Sequence, residues 1–388
     1  MTARLAVATG TRAEYGIFRP LLREFQARDW PFDLYVTGSH LAPRHGQTVS
    51  EIEGDGFDIA ERVDIDLAED TPTGISRSMA IAIGRFGELL DRRRPDLLFL
   101  LGDRFETFAI AAAAQDAGVP VAHLHGGEVT EGVIDEAFRH AITKMSRLHF
   151  VSTEEHRRRV IQLGEPPATV FNVGALGLDN IRSLEIVPQQ ALERDLGFTF
   201  RDTNLLVTHH PLTLDLHRSE QDFAALLQAL AHFPEAGILI TAPNADPGGS
   251  RIAEMIDAFV AAQADRVKVF TSLGTLRYFS VLRCVDAVIG NSSSGLIEVP
   301  SFGVPTVNIG DRQRGRVAGP SVIHSAASPD AITAAIGHAL SPECRRAIIG
   351  LPNPYGSGNT AAKICDVVGD LAFPIDRRKS FQDLPTSG

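Results

Sequence analysis

Short runs with almost no polar side chain, each closed by a glycine or polar turn and followed by helical spacing, constrain this chain more than any other feature. LLFLL at Leu97–Leu101 is the plainest, ending in Gly102-Asp103-Arg104 and leading into FETFAIAAAAQD. A strand that is apolar along its whole length is covered on both faces, and alternation of such strands with helices implies a parallel sheet. The first half predicts strands at Leu5–Ala8, Phe32–Thr37, Leu97–Leu101, Val119–His123 and Leu148–Ser152, with helices from about Ile75 to Asp91 and from Phe105 to Asp116. The pattern resumes at Asn204–Thr208, Gly237–Thr241, Val267–Phe270, Ala287–Ile289 and Thr306–Asn308. The expectation is therefore an α/β chain of two Rossmann-like doubly wound domains, 1–180 and 181–370, facing a cleft, with 371–388 as a polar, frayed tail.

Composition narrows the functions such a fold can serve. At 388 residues the chain exceeds most single cores, and 44% hydrophobic with 22% charged residues is ordinary for a folded soluble protein. A net charge of −11 argues against a nucleic-acid partner, which usually meets a basic face. A phosphorylated small molecule remains compatible, because an anion pocket needs only a few local donors. The cysteines Cys284, Cys344 and Cys365 form no CxxC pair, which points to a reducing cytoplasm without structural zinc. The apolar run in MTARLAVATG is too short for a signal-peptide core, and no apolar stretch approaches membrane-spanning length.

Chemistry concentrates in VAHLHGGEVTEGVIDEAFRHAITK, where a strand ends in Gly126-Gly127 and a helix follows. His125, Glu128, Asp135 and His140 stand at this strand end and helix, where open α/β sheets hold their ligands. Ile134, Ala137, Phe138, Ala141, Ile142 and Met145 mark the face expected to be buried. Asp103 follows the preceding strand; it is either an acid–base group or a helix cap, and the same choice applies to Asp135. His209 and His210 follow the first strand of the second half; one suits proton transfer or a leaving phosphate, the other packing. HExxH and CxxC spacings are absent, so no metal is expected.

A second cluster, GNSSSGLIEVP, follows Ala287–Ile289 and leads into helical spacing. A helix start offers free N–H groups and serine hydroxyls add donors, so Ser292 and Ser293 are expected to hold a diphosphate unless they are caps alone. Glu298 then suits a ribose diol. Arg12 in TGTRAEYG and Arg312 in GDRQRGR, beside Arg314 and Arg316, are candidate phosphate clamps.

With LGDRFET, HGGEVTEGVIDEAFRHAITK, VTHHPLT, APN and GNSSSGLIEVPSFGVPTVNIGDRQRGR in order, the chain resembles the hydrolysing UDP-N-acetylglucosamine 2-epimerases of sialic-acid and legionaminic-acid pathways over nearly its whole length. The resemblance implies the glycosyltransferase-B architecture, a UDP-sugar substrate, no cofactor and a homodimer or homotetramer. It implies elimination of UDP to a 2-acetamidoglycal followed by water addition. Matching motifs make Asp103, Asp135 and neighbouring carboxylates the acid–base set and set His210 against the departing diphosphate. Arg12, Asn244, Ser292, Ser293, Glu298 and Arg312 would then hold the substrate. Non-hydrolysing relatives carry a GHRRE-type motif where this chain has THHPLT. Several family members have a catalytic glutamate where this chain has His125, so either His125 or Glu128 takes that role, or the sugar differs, with UDP-N,N′-diacetylbacillosamine the leading candidate.

Overall fold

A computed structural model describes residues 3–42, 48–69, 71–130, 134–210, 216–242 and 249–383. Residues divide by contact into two units: the first holds 1–129, 133–180 and 358–388, the second 130–132 and 181–357. In the first unit, β1 (Leu5–Thr9), β2 (Phe32–Thr37), β3 (Glu61–Val63), β4 (Leu97–Leu101), β5 (Val121–Leu124), β6 (Leu148–Val151) and β7 (Val170–Asn172) form a parallel sheet ordered β3-β2-β1-β4-β5-β6-β7. Helices cover both faces: Phe18, Leu21, Leu22 and Phe25 pack on one, Phe86, Leu90, Ile110 and Ala114 on the other. The alanine-rich helix Phe105–Ala117 lies in that second layer, with Ala109, Ala111, Ala113 and Ala114 buried.

The second unit repeats the plan with β8 (Asn204–Thr208), β9 (Gly237–Thr241), β10 (Val267–Phe270), β11 (Ala287–Gly290), β12 (Thr306–Ile309) and β13 (Val322–Ser325), ordered β10-β9-β8-β11-β12-β13 and parallel throughout. Strand order reverses beside β1 in one sheet and beside β8 in the other. In doubly wound folds ligands bind outside the carboxyl ends of the strands at such a switch point. That rule selects the loops after β1 and β4 in the first unit and after β8 and β11 in the second.

Three features depart from the sequence expectations. Residues 358–388 group with the first unit, although residues through 370 were assigned to the second domain. The helix Thr360–Gly369 buries Ala361, Ile364, Cys365 and Val368 in the first unit's core, and Asp179 accepts hydrogen bonds from Thr360 N (2.9 Å) and Ala361 N (2.7 Å) at its start. The tail expected to fray is held as far as Gln382, whose N–H donates to Gly164 O at 2.9 Å. The helix Asp135–Met145 turns a polar face inward: Arg139, Ile142 and Thr143 are buried, whereas Ile134 is 74% exposed and Ala137 is exposed too.

Candidate active site

Asp103 and Arg104 follow β4 at the first switch point. Arg139, on the helix Asp135–Met145, is 2% exposed and donates to Asp103 Oδ2, Glu136 Oε2 and, at 2.8 Å, Glu128 O. A buried guanidinium is tolerated only with such partners, and they let this helix bury Arg139 beside Ile142 of its apolar stripe. Burial opposes charge on Arg139, but Asp103, Glu128 and Glu136 hold it protonated. Asp135 begins the same helix, and burial, then the Asp103 carboxylate, raise its pKa above the ordinary aspartate value. His140 Nε2 lies 3.2 Å from Glu136 Oε1.

The loop after β5 brings the next groups to the same sheet edge. His125 has φ 65°, a left-handed conformation that costs a side-chain-bearing residue energy. Its Nδ1 lies 2.9 Å from Glu128 Oε1, which also accepts from Ser152 Oγ at 3.3 Å, while His125 Nε2 has no partner among the described residues. Gly127, at φ 77°, lets the chain pass His156 O, which a Cβ would meet at 2.4 Å. The structure thus gathers Asp103, His125, Glu128 and Asp135 in one unit around Arg139.

Below the turn after β1 lies a pair of carboxyls not singled out as site residues in the sequence. Glu14 Oε2 accepts from Gly10 N at 2.7 Å, and its other oxygen is buried without a partner among the described residues. Glu106, 1% exposed, accepts from Arg104 Nε (3.2 Å) and Nη2 (3.1 Å). Burial and the neighbouring Glu106 push the Glu14 pKa up to about 7. The only sequence signal was an acid one turn into a helix beside a glycine turn. Arg12, at the head of the helix Arg12–Ala27, pairs with Glu51 at 2.9 Å and is half exposed.

In the second unit, Asn291 joins the two switch loops. It accepts from His210 N at Oδ1 (2.7 Å) and donates from Nδ2 to His210 O (2.9 Å). Asn291 O accepts from Arg312 Nη1 (2.9 Å) and Gln313 Nε2 (2.8 Å). Gly290 (φ 142°) permits the close approach of β8, since a Cβ there would lie 1.9 Å from Thr208 O. His209 is the packed member of its pair, against Phe223 at 5.4 Å, and burial drives its pKa down to about 3, so it is neutral. Asn291 stood in the serine motif but was not assigned a role.

Ser292 and Ser293 are half-buried at the end of β11, beside Ser294, whose Oγ lies 2.7 Å from Tyr278 OH. The helix they were expected to head is only Ser294–Ile297, and it passes at Glu298 into a 3₁₀ turn over Val299–Phe302. Pro300 lacks the N–H that a continuing helix needs. What this turn can offer an anion is therefore local N–H and hydroxyl groups more than a helix dipole. Asn244 lies outside the described residues. Among the described residues no cluster of three or more His, Cys, Asp or Glu is arranged to hold a metal ion, and no helix is long and apolar enough to cross a membrane.

Comparison with known proteins agrees with the fold. Residues 23–369 match the family model of UDP-N-acetylglucosamine 2-epimerase. The chain is 38% identical over 387 residues to polysialic acid biosynthesis protein P7 of Escherichia coli, covering 98% of each chain. It is 37% identical over 323 residues to the hydrolysing GDP/UDP-N,N′-diacetylbacillosamine 2-epimerase of Campylobacter jejuni, covering 83% of this chain and 84% of that one. Its fold superimposes on the Neisseria meningitidis UDP-GlcNAc 2-epimerase bound to UDP-GlcNAc with a TM-score of 0.75 at 18% identity, covering 95% of this chain and 100% of the other. The chain belongs to the UDP-N-acetylglucosamine 2-epimerase family.

Proposed function

We propose that this chain is a hydrolysing 2-epimerase that converts UDP-N-acetylglucosamine to UDP and free N-acetylmannosamine. The observation that supports this most is the gathering of Asp103, Asp135, His125 and Glu128 around buried Arg139. Elimination moves the C2 proton to a base, forms the C1–C2 double bond and expels UDP from C1. Hydration then adds hydroxide at C1 and a proton at C2 on the opposite face. Two proton carriers are therefore needed. Asp135, whose raised pKa makes it a better proton acceptor than an ordinary aspartate, takes one role with Asp103 beside it, and the His125–Glu128 pair takes the other. His210 meets the departing diphosphate; Ser292, Ser293 and Arg312 bind phosphate oxygens, Glu298 takes the ribose diol, and Arg12 and Asn244 complete the substrate contacts. Each step is acid–base chemistry and invokes no cofactor. We read the enzyme as a cytoplasmic homodimer or homotetramer, which light scattering of the purified protein checks.

A second reading, with UDP-N,N′-diacetylbacillosamine as substrate, is favoured by the likeness to the Campylobacter jejuni enzyme and by His125 in place of the expected glutamate. Parallel assays of the two UDP-sugars, following UDP and free sugar, decide between them. Faster turnover of UDP-N-acetylglucosamine supports the first reading. Faster turnover of the diacetylated sugar replaces it, and a product that still carries UDP contradicts both.

A further inference from the structure

The tail beyond the last helix is pinned to the first unit where the acid–base helix ends. The last carbonyls of a helix have no partner inside it, and a cation there is favoured by both hydrogen bonding and the dipole. Lys379 supplies that cation to the helix Asp135–Met145: its Nζ donates to Thr143 O (3.2 Å), Lys144 O (2.8 Å) and Ser146 O (2.7 Å). The ammonium is anchored by Glu165 Oε2 at 2.6 Å. Glu165 is fully buried and also receives Lys144 Nζ (2.7 Å) and His149 Nε2 (3.0 Å). Burial alone would raise the Glu165 pKa, yet these three partners hold it down to about 2, so the anchor is ionised. Flanking contacts fix the tail on both sides of Lys379: Arg147 Nε donates to Asp376 O (2.7 Å), Arg377 Nη1 to Gly118 O (3.0 Å) and Gln382 N to Gly164 O (2.9 Å).

We propose that Lys379 is a positioning residue for the reaction, a C-terminal cap that holds the acid–base helix in register so that Arg139 and the carboxylates around it keep their places. The inference rests on the assignment of that helix to acid–base chemistry. Two short paths lead from the cap to the site. Thr143, whose carbonyl meets Lys379, donates from Oγ1 to Arg139 O at 3.0 Å. Thr143 Oγ1 also lies 3.2 Å from Nδ1 of buried His123, whose Nε2 is 2.8 Å from Gly102 O, one residue before Asp103. Gly102 O can only accept, so Nε2 carries the proton, and the single Thr143 hydroxyl proton is shared between Arg139 O and the bare Nδ1 of His123. Burial keeps His123 neutral, with its pKa lowered to about 3.

Lys379→Met in the full-length enzyme tests this by steady-state kinetics, UDP calorimetry and amide hydrogen exchange over residues 139–146. The expected result is exchange faster by about tenfold in those amides and a kcat lower by about tenfold, with UDP affinity within about twofold. Lys379→Arg should restore most of the kcat, and Arg377→Met, which loosens the tail without touching the helix, should leave kcat and helix exchange unchanged. Should Lys379→Met fail to fold, Lys379→Gln carries the same test with an expected fall of about threefold. Unchanged exchange in the Lys379 variants, or an equal loss in Arg377→Met, would overturn the positioning role directly. Faster exchange with unchanged kcat would overturn it through its premise, since the helix would then be held by Lys379 without serving the chemistry.

Discussion

The loops after β4 and β11 occupy equivalent places, each at the switch point of its own sheet, yet they are built from different materials. Charged side chains organise the first: Arg139 binds Asp103, Glu136 and Glu128 O, while Glu14 and Glu106 sit buried beneath. A neutral amide organises the second, with Asn291 exchanging two hydrogen bonds with the His210 backbone and accepting from Arg312 and Gln313 at its carbonyl. Groups that move protons must titrate, and burial tunes where they do so. Donors that hold a diphosphate should keep their shape at every working pH, and an amide hub adds no negative charge to repel the ligand. On the proposed reading, the two switch points separate proton transfer from nucleotide binding.

That separation breaks first, if it is wrong, at the acids. Asp103→Asn and Asp135→Asn should each lower turnover by about a thousandfold while UDP affinity, measured by calorimetry, stays within about threefold. Near-normal rates in both would remove the acid–base assignment. Glu14→Gln sharpens the first unit's side. The folded pKa near 7 stands above the ordinary value of 4.5, so between those values the folded state binds more protons than the unfolded state, and wild-type stability falls as pH rises. The variant should lose that slope, gaining up to about 3 kcal/mol relative to wild type between about pH 4 and pH 8 in urea titrations. An unchanged slope would mean that Glu14 titrates as in the unfolded chain. On the nucleotide side, Asn291→Ala should weaken UDP binding by about tenfold, with kcat changing less. Ser293→Ala should have the smallest effect, about threefold on UDP affinity, and a fall in kcat at unchanged affinity would place Ser293 in the chemistry instead.

Legibility in the sequence followed burial. Central strands such as β4 and β8 are apolar on both faces, and their predicted ranges, Leu97–Leu101 and Asn204–Thr208, coincide with the structure. β3, β7 and β13 were missed, and each is short and lies at a sheet edge, where one side meets solvent and the apolar run is broken. On the helix Asp135–Met145 the predicted stripe holds at Ile142 and Met145 but fails at Ile134 and Ala137, and the burial of Arg139, which finds three acceptors inside, is a tertiary fact that spacing does not carry. Glu14 and Asn291 stood in noticed motifs, but their roles depend on partners across the switch, Glu106 in one case and His210 in the other. Lys379 was hidden for the same reason: its partners lie more than two hundred residues earlier in the chain.

The central claim is that C2 is deprotonated and reprotonated on the opposite face while UDP departs. Incubating UDP-N-acetylglucosamine with the enzyme in D₂O and following the products by NMR tests it most directly. The account predicts free UDP and a free manno-configured sugar carrying one deuteron at C2. Released sugar with its original hydrogen at C2 would contradict it.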